Sequence, residues 1–143
     1  MSSVRIGMIT CANATQDLSC CSVACLSAFN KKTGSFAAYK ENIVLAGIIS
    51  CAGCPTLAYP EKILDKAAAM VRFGVKRIHF SNCMEEMCPF VNKYKQVIGQ
   101  AWPELGLMAG THPETFSAEE FRAKVKIAFE QKRTMGDIIS GQI

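Results

Sequence analysis

The chain has 143 residues, half of them hydrophobic and a fifth charged, which suits a single globular domain over residues 1–143 and excludes a disordered polypeptide. Its formal net charge of +4 is modest, and the basic residues Arg122, Lys124, Lys126, Lys132 and Arg133 interleave with Glu119, Glu120 and Glu130 as on a solvated helix face, so no nucleic-acid partner is expected. No apolar run approaches the roughly 18 residues of a membrane helix, and the opening MSSVRIGMIT has no signal-peptide pattern, so a cytoplasmic protein without membrane attachment is expected.

Val4–Thr10 is a short apolar run of the kind covered on both faces of a sheet, and it leads into Cys11. Ala12–Asp17 reads as a polar loop. Ser19–Lys31 reads as a helix, with Cys21, Cys25 and Phe29 on one face and Gly34 as its stop. Ile43–Ser50 is a second buried strand leading into Cys51. A helix opens at Pro60 and runs through Phe73, with Gly74 as its cap. A third strand, Val75–Asn82, leads into Cys83. A loop containing Met84–Cys88 follows, then Pro89 and a helix to about Ala101. Leu107–Thr111 is a fourth strand and leads into His112. Ser117 and Glu120 fit a capping box before a helix at Ala118–Lys132. The tail Gly136–Ile143 can add a short edge strand.

Strand alternating with helix four times predicts an α/β three-layer sandwich with a four-stranded parallel sheet. Right-handed crossovers leave few topologies, and the order 2-1-3-4 is expected, with a short fifth strand at one edge. All four strands end at a soft ligand residue. In an open parallel sheet those ends share one rim, where ligands bind at the point at which strand order reverses. The sequence therefore describes a sulfur-lined crevice.

Eight cysteines in a chain long enough to build a core point to metal or redox chemistry rather than to structural disulfides. Free cysteine also packs as a small hydrophobe, which explains one or two isolated residues but not a gathering at strand ends. Cys51-Ala-Gly-Cys54-Pro55 lets two sulfurs face one ion, with Gly53 easing the tight backbone. Cys83-Met-Glu-Glu-Met-Cys88-Pro89 is a second pair, and both motifs end in Cys-Pro, as does the cysteine run of bacterial ferredoxins. Cys51, Cys54, Cys83 and Cys88 are the expected ligand core, with Cys11, Cys20 and Cys25 as additional or second-site ligands. His112 is a candidate ligand or proton-transfer group. His79, inside a strand, reads as a hydrogen-bonded core residue.

Cys20 to Cys25 with Ala28-Phe29-Asn30, Gly47-Ile-Ile-Ser-Cys51-Ala-Gly-Cys54, Ile78-His79-Phe-Ser-Asn-Cys83, Cys88-Pro89 and Gly110-Thr111-His112 follow one another as in the CGGC-domain family, which this chain resembles over roughly residues 5–112. The resemblance implies a metal role for Cys20, Cys25, Cys51, Cys54, Cys83, Cys88 and His112, with His79 also in the pattern. Ala52 departs from the family's glycine, and Cys21-Ser22 stands in place of Pro-Gly.

Three functions compete. An iron–sulfur protein for redox or electron transfer, acting with a redox partner protein, is favoured because there are more thiols than one tetrahedral ion can use. A zinc or other soft-metal binding or sensing protein needs only four thiolates, or three with His112. A thiol–disulfide oxidoreductase would use Cys51 and Cys54. A cysteine phosphatase is excluded, because Asp17 stands six positions after Cys11 where arginine is required, and no other cysteine has arginine there.

Overall fold

The computed structural model describes residues 3–51, 61–114 and 116–143. The expected opening of a helix at Pro60 and the ligand position Cys54 lie outside them. Four parallel strands, β1 (Ser3–Thr10), β2 (Asn42–Ser50), β3 (Arg77–Phe80) and β4 (Gly106–Ala109), form one sheet in the order β2-β1-β3-β4. This is the expected 2-1-3-4 topology. Because β1 pairs with β2 on one side and β3 on the other, the connections leaving β1 and β3 diverge and open a crevice at their carboxyl ends.

Two apolar layers sandwich the sheet, because alternate residues of a strand face opposite ways. Ile6 and Met8 of β1 pack with Cys25 and Ala28 of α1 (Val23–Lys31), and with Phe36 and Tyr39 beyond it. Ile9 faces the larger layer, built from α2 (Glu61–Arg72), α3 (Asn82–Met87), α4 (Val91–Ala101), α5 (Ala118–Glu130) and α6 (Met135–Ile139). Gly7 permits the close seating of α2, since a Cβ there would lie 2.5 Å from Met70 Sδ.

The structure differs from expectation where side-chain hydrogen bonds start helices and where left-handed backbone ends or delays them. The tail is not a fifth edge strand. Thr134 Oγ1 accepts from Asp137 N at 3.4 Å while Asp137 Oδ2 accepts from Thr134 N at 2.9 Å, a capping box that starts α6 and buries Met135 and Ile138. The third strand stops at Phe80 because Ser81 caps α3, so Cys83 sits in that helix rather than at a strand end, and Met84 in the helix rather than in a loop. The helix expected from Ser19 begins at Val23, because Ser19 and Ser22 adopt left-handed backbone conformations (φ 56° and 62°). Cys21 therefore lies outside α1 and is exposed. That helix ends at Lys32, itself left-handed, rather than at Gly34. The segment after β1 is a single π-helical turn, Asn13–Asp17, rather than an open loop.

Among the described residues no helix is long and apolar enough to cross a membrane.

Candidate functional site

Register brings the first two thiols together. Thr10 of β1 pairs with Ser50 of β2, and the Cys51 N–H donates to the Thr10 carbonyl at 2.8 Å. Cys11 and Cys51 each follow by one residue, so they emerge side by side from strands about 4.8 Å apart. On the other flank Ile9 pairs with Phe80, and the Ser81 N–H donates to the Ile9 carbonyl at 2.9 Å. The first turn of α3 then returns Cys83 toward β1, where its sulfur accepts from the Cys11 N–H at 3.4 Å. Cys51 Sγ accepts from the Ala12 N–H at 3.3 Å.

Cys11 occupies the middle of this group, since its thiol interacts with those of both Cys51 and Cys83. The hydrogen bond with Cys51 lowers its pKa, but the bond to Cys83 and burial outweigh that and hold it above the ordinary thiol value. Cys83 moves the other way. Its bond with the Cys11 thiol is the largest cause and Ser81 assists, so its pKa is lowered despite burial. Ser81 Oγ accepts from Met84 N at 3.4 Å and lies 2.8 Å from Cys83 Sγ, a hydrogen bond that lowers the Cys83 pKa. The pair is thus a direct thiol–thiol contact in which Cys83 ionises more readily than Cys11.

Cys25 lies near enough to Cys83 for their charges to repel, and Cys20 bears the same relation to Cys25. Burial raises the pKa of both. Cys25 Sγ is 3.1 Å from Thr111 Oγ1, and Cys20 Sγ accepts from the Ser22 N–H at 3.3 Å. A file of thiols therefore runs from Cys20 through Cys25, Cys83 and Cys11 to Cys51.

Two cavities flank this file. Cys11, Cys51 and Cys88 share the lining of a small one of about 120 Å³. Cys20, Cys25, Cys83 and His112 contribute to a larger one of about 580 Å³. Among the described residues, no three Cys, His, Asp or Glu side chains are already arranged around one ion.

Asn82 holds the loop that carries His112, a role the sequence reading missed. Its Oδ1 accepts from Thr111 N at 2.9 Å, and its Nδ2 donates to the His112 carbonyl at 2.8 Å. No local pattern signals this, because Asn82 and its partners are distant in sequence. Gly34 supports the loop from the other side. It has φ 57°, and a Cβ there would lie 2.4 Å from the Thr111 carbonyl oxygen.

His79 is a core residue. It is fully buried, its Nδ1 lies 3.0 Å from the Gly110 carbonyl and its Nε2 2.7 Å from the Tyr39 hydroxyl. A carbonyl can only accept, so Nδ1 carries the proton and Nε2 accepts from Tyr39. Burial lowers the His79 pKa and keeps the ring neutral.

The architecture and its rim define a class, a cysteine-rich doubly wound α/β domain. Its CGGC-domain match extends over residues 5–112, and the chain belongs to that family. It is also 34% identical over 95 residues to a protein of Methanocaldococcus jannaschii that is described only as uncharacterized, covering 63% of this chain and 70% of that one. No solved structure matches the chain.

Proposed function

We propose that this is a soft-metal protein whose thiols at the carboxyl rim hold an iron–sulfur cluster for redox or electron-transfer chemistry. The observation that carries the reading is the contact of the Cys11 thiol with both Cys51 and Cys83, residues from three separate segments meeting at the switch point. Sulfur-only donor sets suit iron–sulfur clusters, zinc and copper(I). The fit rests on donor chemistry: partly desolvated thiols, one of them with its pKa lowered by its neighbours, beside a small cavity with a further cysteine at its wall.

Cys11, Cys51 and Cys83 would hold the group, with Cys88 or Cys54 completing it. Cys20, Cys25 and His112 would form an additional or second site. A bound cluster supplies one-electron transfer. The chain's own contribution is to ease ionisation of Cys83 through Cys11 and Ser81, and to keep the centre among buried side chains. A protein partner would exchange the electrons.

Zinc is the second reading, since the three contacting thiols with one more sulfur fill a tetrahedral shell. Purification without oxygen, followed by iron, sulfide and zinc analysis and a visible spectrum, separates the two. Iron and sulfide in equal amounts with broad visible absorbance are expected. A colourless, folded, iron-free protein with stoichiometric zinc selects the second reading, and a folded protein with no metal of either kind overturns both.

A further inference from the structure

Four candidate ligand residues make up only part of the lining of the larger cavity of about 580 Å³. Hydrocarbon makes up much of the remainder. Phe116, Phe121, Met135, Ile138 and Ile139 come from the α5–α6 side, and Ala24 faces them from α1. The thiol file does not require this wall. Pockets of about 300–1,000 Å³ with mainly apolar walls and a few convergent polar groups are the usual form of a small-molecule site.

We propose that this cavity binds an uncharged, largely hydrocarbon small molecule whose single hydrogen-bonding group meets His112 and Cys83. Charge at the cavity argues for an uncharged ligand, because Lys31 lines it together with Glu86 and Glu114. Arg122 lies beside the acidic pair, its Nε donating to the Glu86 carbonyl at 3.0 Å. A charged ligand would gain from one sign and lose to the other. The orientation follows from the polar end. His112 Nδ1 is engaged by its own loop, 3.0 Å from the Pro113 carbonyl and 3.2 Å from Asn82 Nδ2. Nε2 has no hydrogen bond among the described residues and is left for a ligand. The bound molecule would lie against the same sulfur that touches Cys11, which places it beside the proposed metal centre. The inference goes beyond the metal reading: it shares Cys83 and His112 with that reading but rests on an apolar wall that contains no proposed metal ligand.

The test uses Nile red, an uncharged polycyclic dye with one carbonyl, titrated into the protein as purified. One saturable site per chain with blue-shifted emission is expected, weakened at least about tenfold by Ala24→Trp, which fills the cavity from α1. Val44→Lys, on the exposed apolar face of β2, should leave the affinity unchanged. No saturable binding, equal affinity in Ala24→Trp, or loss in Val44→Lys would overturn the proposal. So would anilinonaphthalene sulfonate, an anion, binding as tightly as the neutral dye. If Ala24→Trp does not fold, methyl spectra of the unaltered protein decide. Shifts at Ile138 and Ile139 on adding the dye support the site, and unmoved methyls contradict it. Metal content measured on the same samples reports separately on the metal reading.

Discussion

The two sides of the Gly110–His112 turn treat polar side chains in opposite ways. Beneath it, His79 has both ring nitrogens bonded, to Tyr39 and Gly110, inside an apolar layer. At the rim, the sulfurs of Cys11 and Cys83 are held by each other, by one hydroxyl and by a backbone amide at 3.4 Å. Sulfur is a weak donor and a weak acceptor, so these bonds leave coordination capacity in reserve. A polar group whose capacity is filled is framework. One whose capacity is partly unused, beside a cavity, is placed for chemistry.

The comparison breaks first if His79 proves dispensable. His79→Leu removes the partner of the Gly110 carbonyl and one of the partners of the Tyr39 hydroxyl, which also meets Arg77, and should cost about 1–3 kcal/mol. Chemical denaturation should show this loss while metal per folded chain stays unchanged. A stable variant that loses its metal would reverse the two roles.

Gly34→Ala should destabilise by more than about 1 kcal/mol, because a side chain is strained at positive φ and would press on the Thr111 backbone. Denaturation midpoints measure it. Ser81→Ala removes both the α3 cap and the hydroxyl bonded to Cys83, and should destabilise by about 0.5–2 kcal/mol. It should also raise the Cys83 thiol pKa, which thiolate absorbance followed against pH in metal-free protein would register.

Acid supplies the gentlest probe. His79 stays neutral in the fold, whereas in the unfolded chain it titrates near the ordinary value of 6.5. Its contribution to stability is therefore complete above that pH. It is lost progressively as pH falls below it, because the unfolded state takes up a proton the native state resists. Denaturation midpoints at a series of pH values should show the decline, and His79→Leu should flatten it.

The sheet and its order were legible because parallel strands are written as unbroken apolar runs and because the helices between them show their periodicity, although Ile43–Ile49, expected to be buried, forms the edge strand β2 with Val44 and Ile48 exposed. The neighbourhood of Cys11 and Cys51 was legible for the same reason, since register carries the residue after each strand to the same rim. What stayed hidden depends on single hydrogen bonds and on single left-handed residues. Ser81 turns a strand end into a helix, and Thr134 with Asp137 turns an expected strand into α6. The left-handed Ser22 separates Cys21 from the face it was expected to share with Cys25. Cys11, expected as an additional ligand, became the middle of the group because the α3 turn brings Cys83 back onto it. Asn82 could not be found at all, because its partners lie on the loop that carries His112.

The most direct test of the thiol centre compares two serine variants prepared side by side without oxygen, one at Cys11, which touches both Cys51 and Cys83, and one at the exposed Cys21 outside the file. Metal per chain should collapse in Cys11→Ser and remain at the level of the unaltered protein in Cys21→Ser. Full metal content in a folded Cys11→Ser protein would contradict the account.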